Sequence, residues 1–338
     1  MKQAANLEAA ARLLERGELV AFPTETVYGL GADAENAQAV ARIYAAKGRP
    51  ANHPVIVHLA PGADLSYWAS DIPAVAQSLT QAFWPGPLTL ILKRAAAIPD
   101  AVSGGQDTIG LRCPAHPVAQ SLLRAFKNGK GGVAAPSANR FGHVSPTTAA
   151  HVIDEFGSGA DSPLAMVLDG GQSEVGIEST ILDLSRMDTH GPVLLRPGRV
   201  TPEQIAAVTG IMPALPDAAA PRASGTLESH YAPATPVVIV TAGQLGEALA
   251  ALRQAGRKAV LLAHQSGSLA MQATVCLRLP NDAQGYAHDL YAALREADAA
   301  GGNVILVEAT PDTPDWQGVN DRLKRAAHGS ENLLTRLT

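Results

Sequence analysis

Five short segments carry residue types able to do chemistry, each strung between an apolar run and a glycine or proline. In Pro23-Thr24-Glu25-Thr26-Val27-Tyr28-Gly29, two hydroxyls and a carboxylate follow the apolar run Leu19 to Phe22. Polar residues at a strand end suit the floor of a cleft, and equally suit a turn capped by its own side chains. Lys47-Gly48-Arg49-Pro50 follows, with His53, Pro54 and the run from Val55 to His58 behind it. Two cations on a proline-stiffened loop suit a polyphosphate, which needs fixed charge-assisted donors. The plainer reading is a pair of solvated partners for a helix dipole. His58 alternates with Ile56 and also fits the edge of a core. In Thr108-Ile109-Gly110-Leu111-Arg112, the arginine sits on an apolar strand and needs an anion there. That anion is either a bound carboxylate or phosphate, or an Asp or Glu of the same chain.

The fourth segment runs from Ala135-Pro136-Ser137-Ala138-Asn139-Arg140-Phe141-Gly142 to Ser145-Pro146-Thr147. Ser145-Pro146 reads as a helix N-cap followed by proline at the first helical position, a geometry that also leaves backbone N–H groups free for an anion. The fifth places Glu178-Ser179-Thr180 and Leu195-Arg196-Pro197-Gly198 at strand ends. Two nucleotide-binding patterns fail. Gly29-Leu30-Gly31-Ala32-Asp33-Ala34 fits GxGxxA, but it lies past the strand, and a basic stretch stands about 20 residues on, where an acidic ribose ligand belongs. Asn128-Gly129-Lys130-Gly131-Gly132 lacks the phosphate-loop order and reads as a tight turn. With no HExxH, no Ser–His–Asp order and no His/Cys cluster, zinc and serine-hydrolase chemistries have no support.

These segments need elements to hold them. Apolar periodicity predicts helices over 6–16, 37–46, 74–83, 118–126 and 147–156. Strands are predicted over 19–22, 55–59, 88–92, 108–111, 133–135, 166–168, 180–184 and 193–195. Their irregular mixture predicts an α/β domain with a mixed sheet over 1–209. Five prolines between 213 and 236 predict a stiff linker over 210–236. Beyond it, strands at 237–241, 259–263 and 304–307 alternate with helices at 245–252 and 287–299, predicting a small parallel α/β domain over 237–338. The 338 residues, 46% hydrophobic and 17% charged, suffice for two such cores. A net charge of -5 and 4% aromatics argue against an extended nucleic-acid surface. Cys113 and Cys276 make no disulfide framework. Neither a signal peptide nor a membrane-length apolar run is apparent, so a cytoplasmic location is expected.

Taken in order, PTETVYGLG, KGRP…HPVIVH, SANRFG…SPT, ESTILDL and LRPG resemble the YrdC/Sua5 family, in its longer Sua5 type. The resemblance covers essentially the whole chain. It implies a YrdC-like mixed, twisted sheet domain with an open cavity and a small Rossmann-like domain. It also implies a nucleotidyltransferase that makes L-threonylcarbamoyladenylate and pyrophosphate from L-threonine, bicarbonate or CO2, and ATP. A separate transferase complex would pass the threonylcarbamoyl group to tRNAs reading ANN codons. Carried over motif by motif, Thr26, His58, Arg112 and Ser179 would hold threonine, with Arg112 on its carboxylate. Arg49, His53, Thr108, Ala135 through its backbone, Ser137, Ser145 and Arg196 would line the ATP site. His53 stands where some relatives have Asn. Lys47 and Arg49 would stabilise charge without a covalent nucleophile, and Mg2+ would accompany ATP with no protein ligand assigned. The segment Ser224-Gly225 to His230-Tyr231-Ala232-Pro233 resembles the family's SPGxxxxHYxP loop, which would bring Tyr231 to ATP. The alternative implied by the same resemblance is a YrdC-type RNA-binding or carbamoyl-transfer module, with weak tRNA contact and no membrane association.

Overall fold

The computed structural model describes residues 2–227, 229–266, 271–330 and 332–338. They form two compact units, one of Met1–Phe141 with Pro146–Thr226 and one of Gly142–Ser145 with Leu227–Thr338. Among the described residues the first unit has ten strands: β1 Val20–Phe22, β2 Gly29–Asp33, β3 Ile56–Leu59, β4 Ala69–Ser70, β5 Leu88–Arg94, β6 Thr108–Arg112, β7 Gly132–Ala134, β8 Met166–Val167, β9 Thr180–Asp183 and β10 Val193–Arg196. They lie in the order β10-β9-β5-β6-β3-β7-β2-β1-β8, with β4 on β5. Pairs β3/β6, β5/β9 and β1/β8 are parallel and the others antiparallel, which is the expected mixed sheet.

Strand alternation sorts this sheet into two chemically different faces. Leu88, Leu90 and Leu92 of β5, Ile109 and Leu111 of β6, and Val57 and Leu59 of β3 are buried in one core. Val40 and Ile43 of helix Ala37–Lys47, Leu79 of Ala74–Phe83, Val152 of Ala149–Phe156 and Ile205 of Pro202–Thr209 join them there. The residues between them in sequence point the other way: Ile56 and His58, Thr89 and Ile91, Gly110 and Arg112. Ile56, Ile91, Ile181, Val193 and Leu195 form a small apolar cluster on that second face. Polar side chains surround it, so this is the face left for chemistry.

The helix Ala37–Lys47 shows how local sequence aims a functional residue. Asn36 caps its start, accepting from the amides of Gln38 and Ala39, and Gly48 ends it in the left-handed region with φ 63°. Lys47 therefore occupies the last turn, facing inward. The glycine-rich run Gly29–Asp33, which the apolar periodicity did not pick out as a strand, is β2, antiparallel to β1. Gly31 has a packing reason: a Cβ there would lie 2.9 Å from the Phe22 ring and 3.0 Å from the Val20 carbonyl oxygen. Close approach by neighbours selects the glycines, which propensity alone reads as a break.

The stretch expected as a linker over 210–236 is divided between the units. Residues up to 226 belong to the first and those from 227 to the second, with Glu228 outside the described residues. Ala214 lengthens the sheet edge, donating to Pro192 and accepting from Leu194. Ala220 and Ala223 pack on the Ile56–Ile91 cluster. Its alanines give this segment apolar contacts that a free tether lacks.

In the second unit β11 Val237–Val240, β12 Ala259–Ala263, β13 Val275–Arg278 and β14 Val304–Glu308 form a parallel sheet in the order β11-β14-β12-β13. Strand β13 and helix Gln317–Ala326 escaped the periodicity reading. The helix buries only a narrow stripe including Val319, Leu323 and Ala326, in an otherwise polar run.

Gly198 of the LRPG segment sits where a Cβ would lie 2.5 Å from the Thr180 amide nitrogen and 2.8 Å from the Glu178 carbonyl oxygen. Neither backbone atom can retreat as a side chain does. Gly198→Ala is expected to destabilise the protein by about 1–3 kcal/mol, seen as a lower urea midpoint at unchanged slope.

Candidate active site

The polar face of the first unit's sheet gathers the threonine-type residues around Arg112. His58 lies beside Arg112 in the parallel register of β3 and β6. The Arg112 guanidinium donates from Nη1 to Thr26 Oγ1 at 2.9 Å and from Nε to the Gly86 carbonyl at 3.3 Å. Its Nη2 pairs with Glu25 Oε1 at 2.7 Å, both side chains being about 95% buried. The same-chain carboxylate that the sequence left open for Arg112 is thus Glu25. Thr24 plays the local capping part: its Oγ1 donates to the Val27 carbonyl and accepts from the Thr26 and Val27 amides. The local capping reading of the PTET segment thus holds for Thr24, while Glu25 and Thr26 turn to Arg112.

Ser179 links β5, the strand beside the β6 of Arg112, to the cations. Its Oγ is 2.8 Å from Thr89 Oγ1 and accepts from Arg196 Nη2 at 3.2 Å. Arg196 also donates twice to the Ser179 carbonyl, at 3.1 and 2.8 Å, and from Nη1 to the Ser224 carbonyl at 2.8 Å. Arg49 reaches the same serine from the other side, its guanidinium 3.5 Å from Ser224 Oγ, and donates to the Pro54 carbonyl at 2.7 Å. Two buried arginines distant in sequence thus converge on one residue of the 210–226 segment. His53 packs its ring edge-on to Phe141 at 5.5 Å. Burial and the nearby Arg49 and Arg222 lower its pKa.

Lys47 has a more immediate task than facing a triphosphate. Its Nζ donates to the carbonyls of Ser137 and Asn139 at 2.6 and 2.5 Å, clamping the SAN segment to the helix end. Burial, with Arg49 nearby, pushes its pKa well below the ordinary lysine value. Ala135 gives its amide to the Ile56 carbonyl, which sets the strand before Ser137 against β3. Thr108 is buried at the start of β6. Ser145 and Tyr231 fall in the second unit. The Tyr231 ring is buried there, 5.7 Å from Tyr291 and with Arg322 over its face. The described geometry therefore groups Tyr231 with its own unit's core.

Sequence reasoning passed over Glu25, Thr89 and Ser224 as site residues. Thr89 had a signal, a lone hydroxyl in the leucine-rich run of β5. Ser224 had one too, its place at the start of the segment resembling the SPGxxxxHYxP loop, but only Tyr231 of that segment was given a role.

Residues 12–198 match the Sua5_yciO_yrdC family model, described as telomere recombination. Residues 200–328 match the model of the threonylcarbamoyl-AMP synthase C-terminal domain. The chain belongs to the Sua5/YrdC family, in its two-domain form. Among its relatives are the threonylcarbamoyl-AMP synthases of Pyrococcus abyssi, 38% identical over 94% of this chain and 93% of that one, and of Bacillus subtilis, 40% identical over 95% and 92%. The crystal structure of P. abyssi Sua5 complexed with L-threonine aligns with a TM-score of 0.87 at 36% identity, covering 96% of this chain and 94% of that one.

Burial and the Arg112 guanidinium push the His58 imidazole down to about 3, so it is neutral in the folded protein across the physiological range. The unfolded chain takes up that proton below about 6.5. His58 thus contributes stability that is fully present above pH ~6.5 and is lost, at up to about 1.4 kcal/mol per pH unit, as pH falls towards ~3. Urea melts across this window should show a shallower acid loss in His58→Gln than in the parent.

Proposed function

We infer that this chain is a threonylcarbamoyl-AMP synthase. It joins L-threonine, bicarbonate or CO2, and ATP into L-threonylcarbamoyladenylate, releasing pyrophosphate. The observation that carries this reading is the continuity of the polar face: Arg112 with Thr26 and His58 at one end, Arg49 and Arg196 at the other, and between them Ser179, bonded to Arg196 and to Thr89 of β5, the strand paired with the β6 of Arg112. One end suits a small amino acid carboxylate, the other a polyanion.

The chemistry asks for no nucleophile from the protein. The amine of threonine adds to CO2 and loses a proton, and the resulting carbamate oxygen attacks the α-phosphorus of ATP as pyrophosphate leaves. Catalysis then rests on alignment and on fixed cations near the departing charge. Arg112 would hold the threonine carboxylate. Thr26, neutral His58 and Ser179 would orient the rest of that molecule, and Arg49 and Arg196 would receive phosphates, with Thr108, Ser137 and the Ala135 backbone beside them. Ser224, lying between the two arginines, would yield its place to a phosphate oxygen. Lys47 would act by holding Ser137. Mg2+ would accompany ATP, with no protein ligand assigned. The acyl-adenylate would pass to a separate transferase complex acting on tRNAs that read ANN codons. A cytoplasmic location suits that handover, and no helix among the described residues is long and apolar enough to cross a membrane.

Pyrophosphate release should require ATP, L-threonine and bicarbonate together, with the acyl-adenylate detected by mass spectrometry. Equal release from ATP alone would defeat the synthase reading. Arg49→Ala should raise the apparent ATP constant by the equivalent of about 1.5–3 kcal/mol, the worth of a charge-assisted contact. Threonine affinity, measured calorimetrically in the same variant, should change far less.

A further inference from the structure

We propose that Glu25 is a positioning residue for the substrate carboxylate, acting through Arg112. The proposal rests on the reading of Arg112 as the partner of that carboxylate. Glu25 is itself held at three points. Oε1 lies 2.7 Å from Arg112 Nη2, Oε2 accepts the Ala115 amide at 3.0 Å, and the Glu25 carbonyl accepts the Val175 amide at 2.7 Å. These contacts join the turn between β1 and β2, the exit of β6 and the segment leading to Ser179. A guanidinium offers five N–H donors in one plane. Here Gly86 takes one from Nε and Thr26 one from Nη1, while Glu25 pairs with Nη2 by charge at 2.7 Å without a hydrogen bond. Each terminal nitrogen thus keeps at least one N–H, and two such donors can bind a carboxylate side by side.

Of the three partners only Glu25 is charged, and it is what makes a buried, substrate-free Arg112 tolerable. Glutamine at this position could not replace it. An amide has one acceptor oxygen, so it can satisfy Arg112 or the Ala115 amide but would set an N–H against the other. The guanidinium plane would then be set by two neutral contacts, and its remaining N–H pair would no longer face the carboxylate as a unit.

The test compares L-threonine with L-threoninamide, which lacks the carboxylate charge. Glu25→Gln should raise the threonine KM about tenfold or more while kcat and the ATP KM stay within about threefold. The calorimetric preference for L-threonine over L-threoninamide should shrink in parallel. Glu25→Asp, which keeps both acceptor oxygens, should recover part of both quantities, and it carries the comparison if Glu25→Gln does not fold. A Glu25→Gln enzyme that melts earlier but keeps the parental threonine KM and preference would overturn the proposal, leaving Glu25 a purely structural ion-pair residue. Arg112→Lys, run alongside, separates the two claims. If it leaves the preference for L-threonine intact, the reading of Arg112 fails. If it abolishes the preference while Glu25→Gln keeps it, Arg112 stands and Glu25 falls.

Discussion

Four cations of the first unit, Lys47, Arg49, Arg112 and Arg196, are less than a tenth exposed. Removing a charge from water is costly unless hydrogen bonds and counter-charge replace its hydration. Much of the surrounding architecture can be understood as meeting that requirement. Backbone carbonyls contribute to it: Ser137 and Asn139 for Lys47, Pro54 for Arg49, Ser179 and Ser224 for Arg196. Glu25 does it for Arg112 with a full charge.

The sheet makes this arrangement affordable in packing terms. Its leucine face carries the main apolar core with the helices, so the opposite face is free to hold hydroxyls, an imidazole and guanidinium groups. The isoleucine and valine cluster at its centre is closed by Ala220 and Ala223, and the same segment brings Ser224 between the arginines. A stretch rich in proline and alanine is thereby both a cover for apolar surface and a neutral occupant of a cationic spot. His58 fits this environment because burial beside Arg112 keeps it uncharged, available for hydrogen bonding without adding a further positive charge.

Much of this was legible without coordinates. The alternation in Leu88–Leu92, Thr108–Arg112 and Val55–Leu59 put the right residues on strands, and Arg112 on an apolar strand announced a buried anion. The helix over 37–46 followed from apolar periodicity, and the structure bounds it with the Asn36 cap and left-handed Gly48, both local features. The separate α/β alternation after residue 236 likewise announced a parallel sheet. What stayed hidden were features set by neighbours distant in sequence. The glycines of Gly29–Asp33 masked a strand because the Phe22 ring that requires them is placed against them only by the hairpin. Nothing local in 210–226 reveals that its alanines pack on the cluster of Ile56, Ile91 and Ile181.

The sequence by itself determined most of the strands and helices, the polar face of the strands whose residues alternate, and which motifs hold cations and hydroxyls. These properties depend on period, capping and residue chemistry over a few positions. Only the tertiary structure decided how those cations are partnered. Glu25 rather than some other acid meets Arg112, Lys47 spends its donors on the SAN segment, and Arg49 and Arg196 converge on Ser224. Ion pairs and carbonyl contacts reach only a few ångströms, and strand order, which no local pattern encodes, sets which side chains come within that reach.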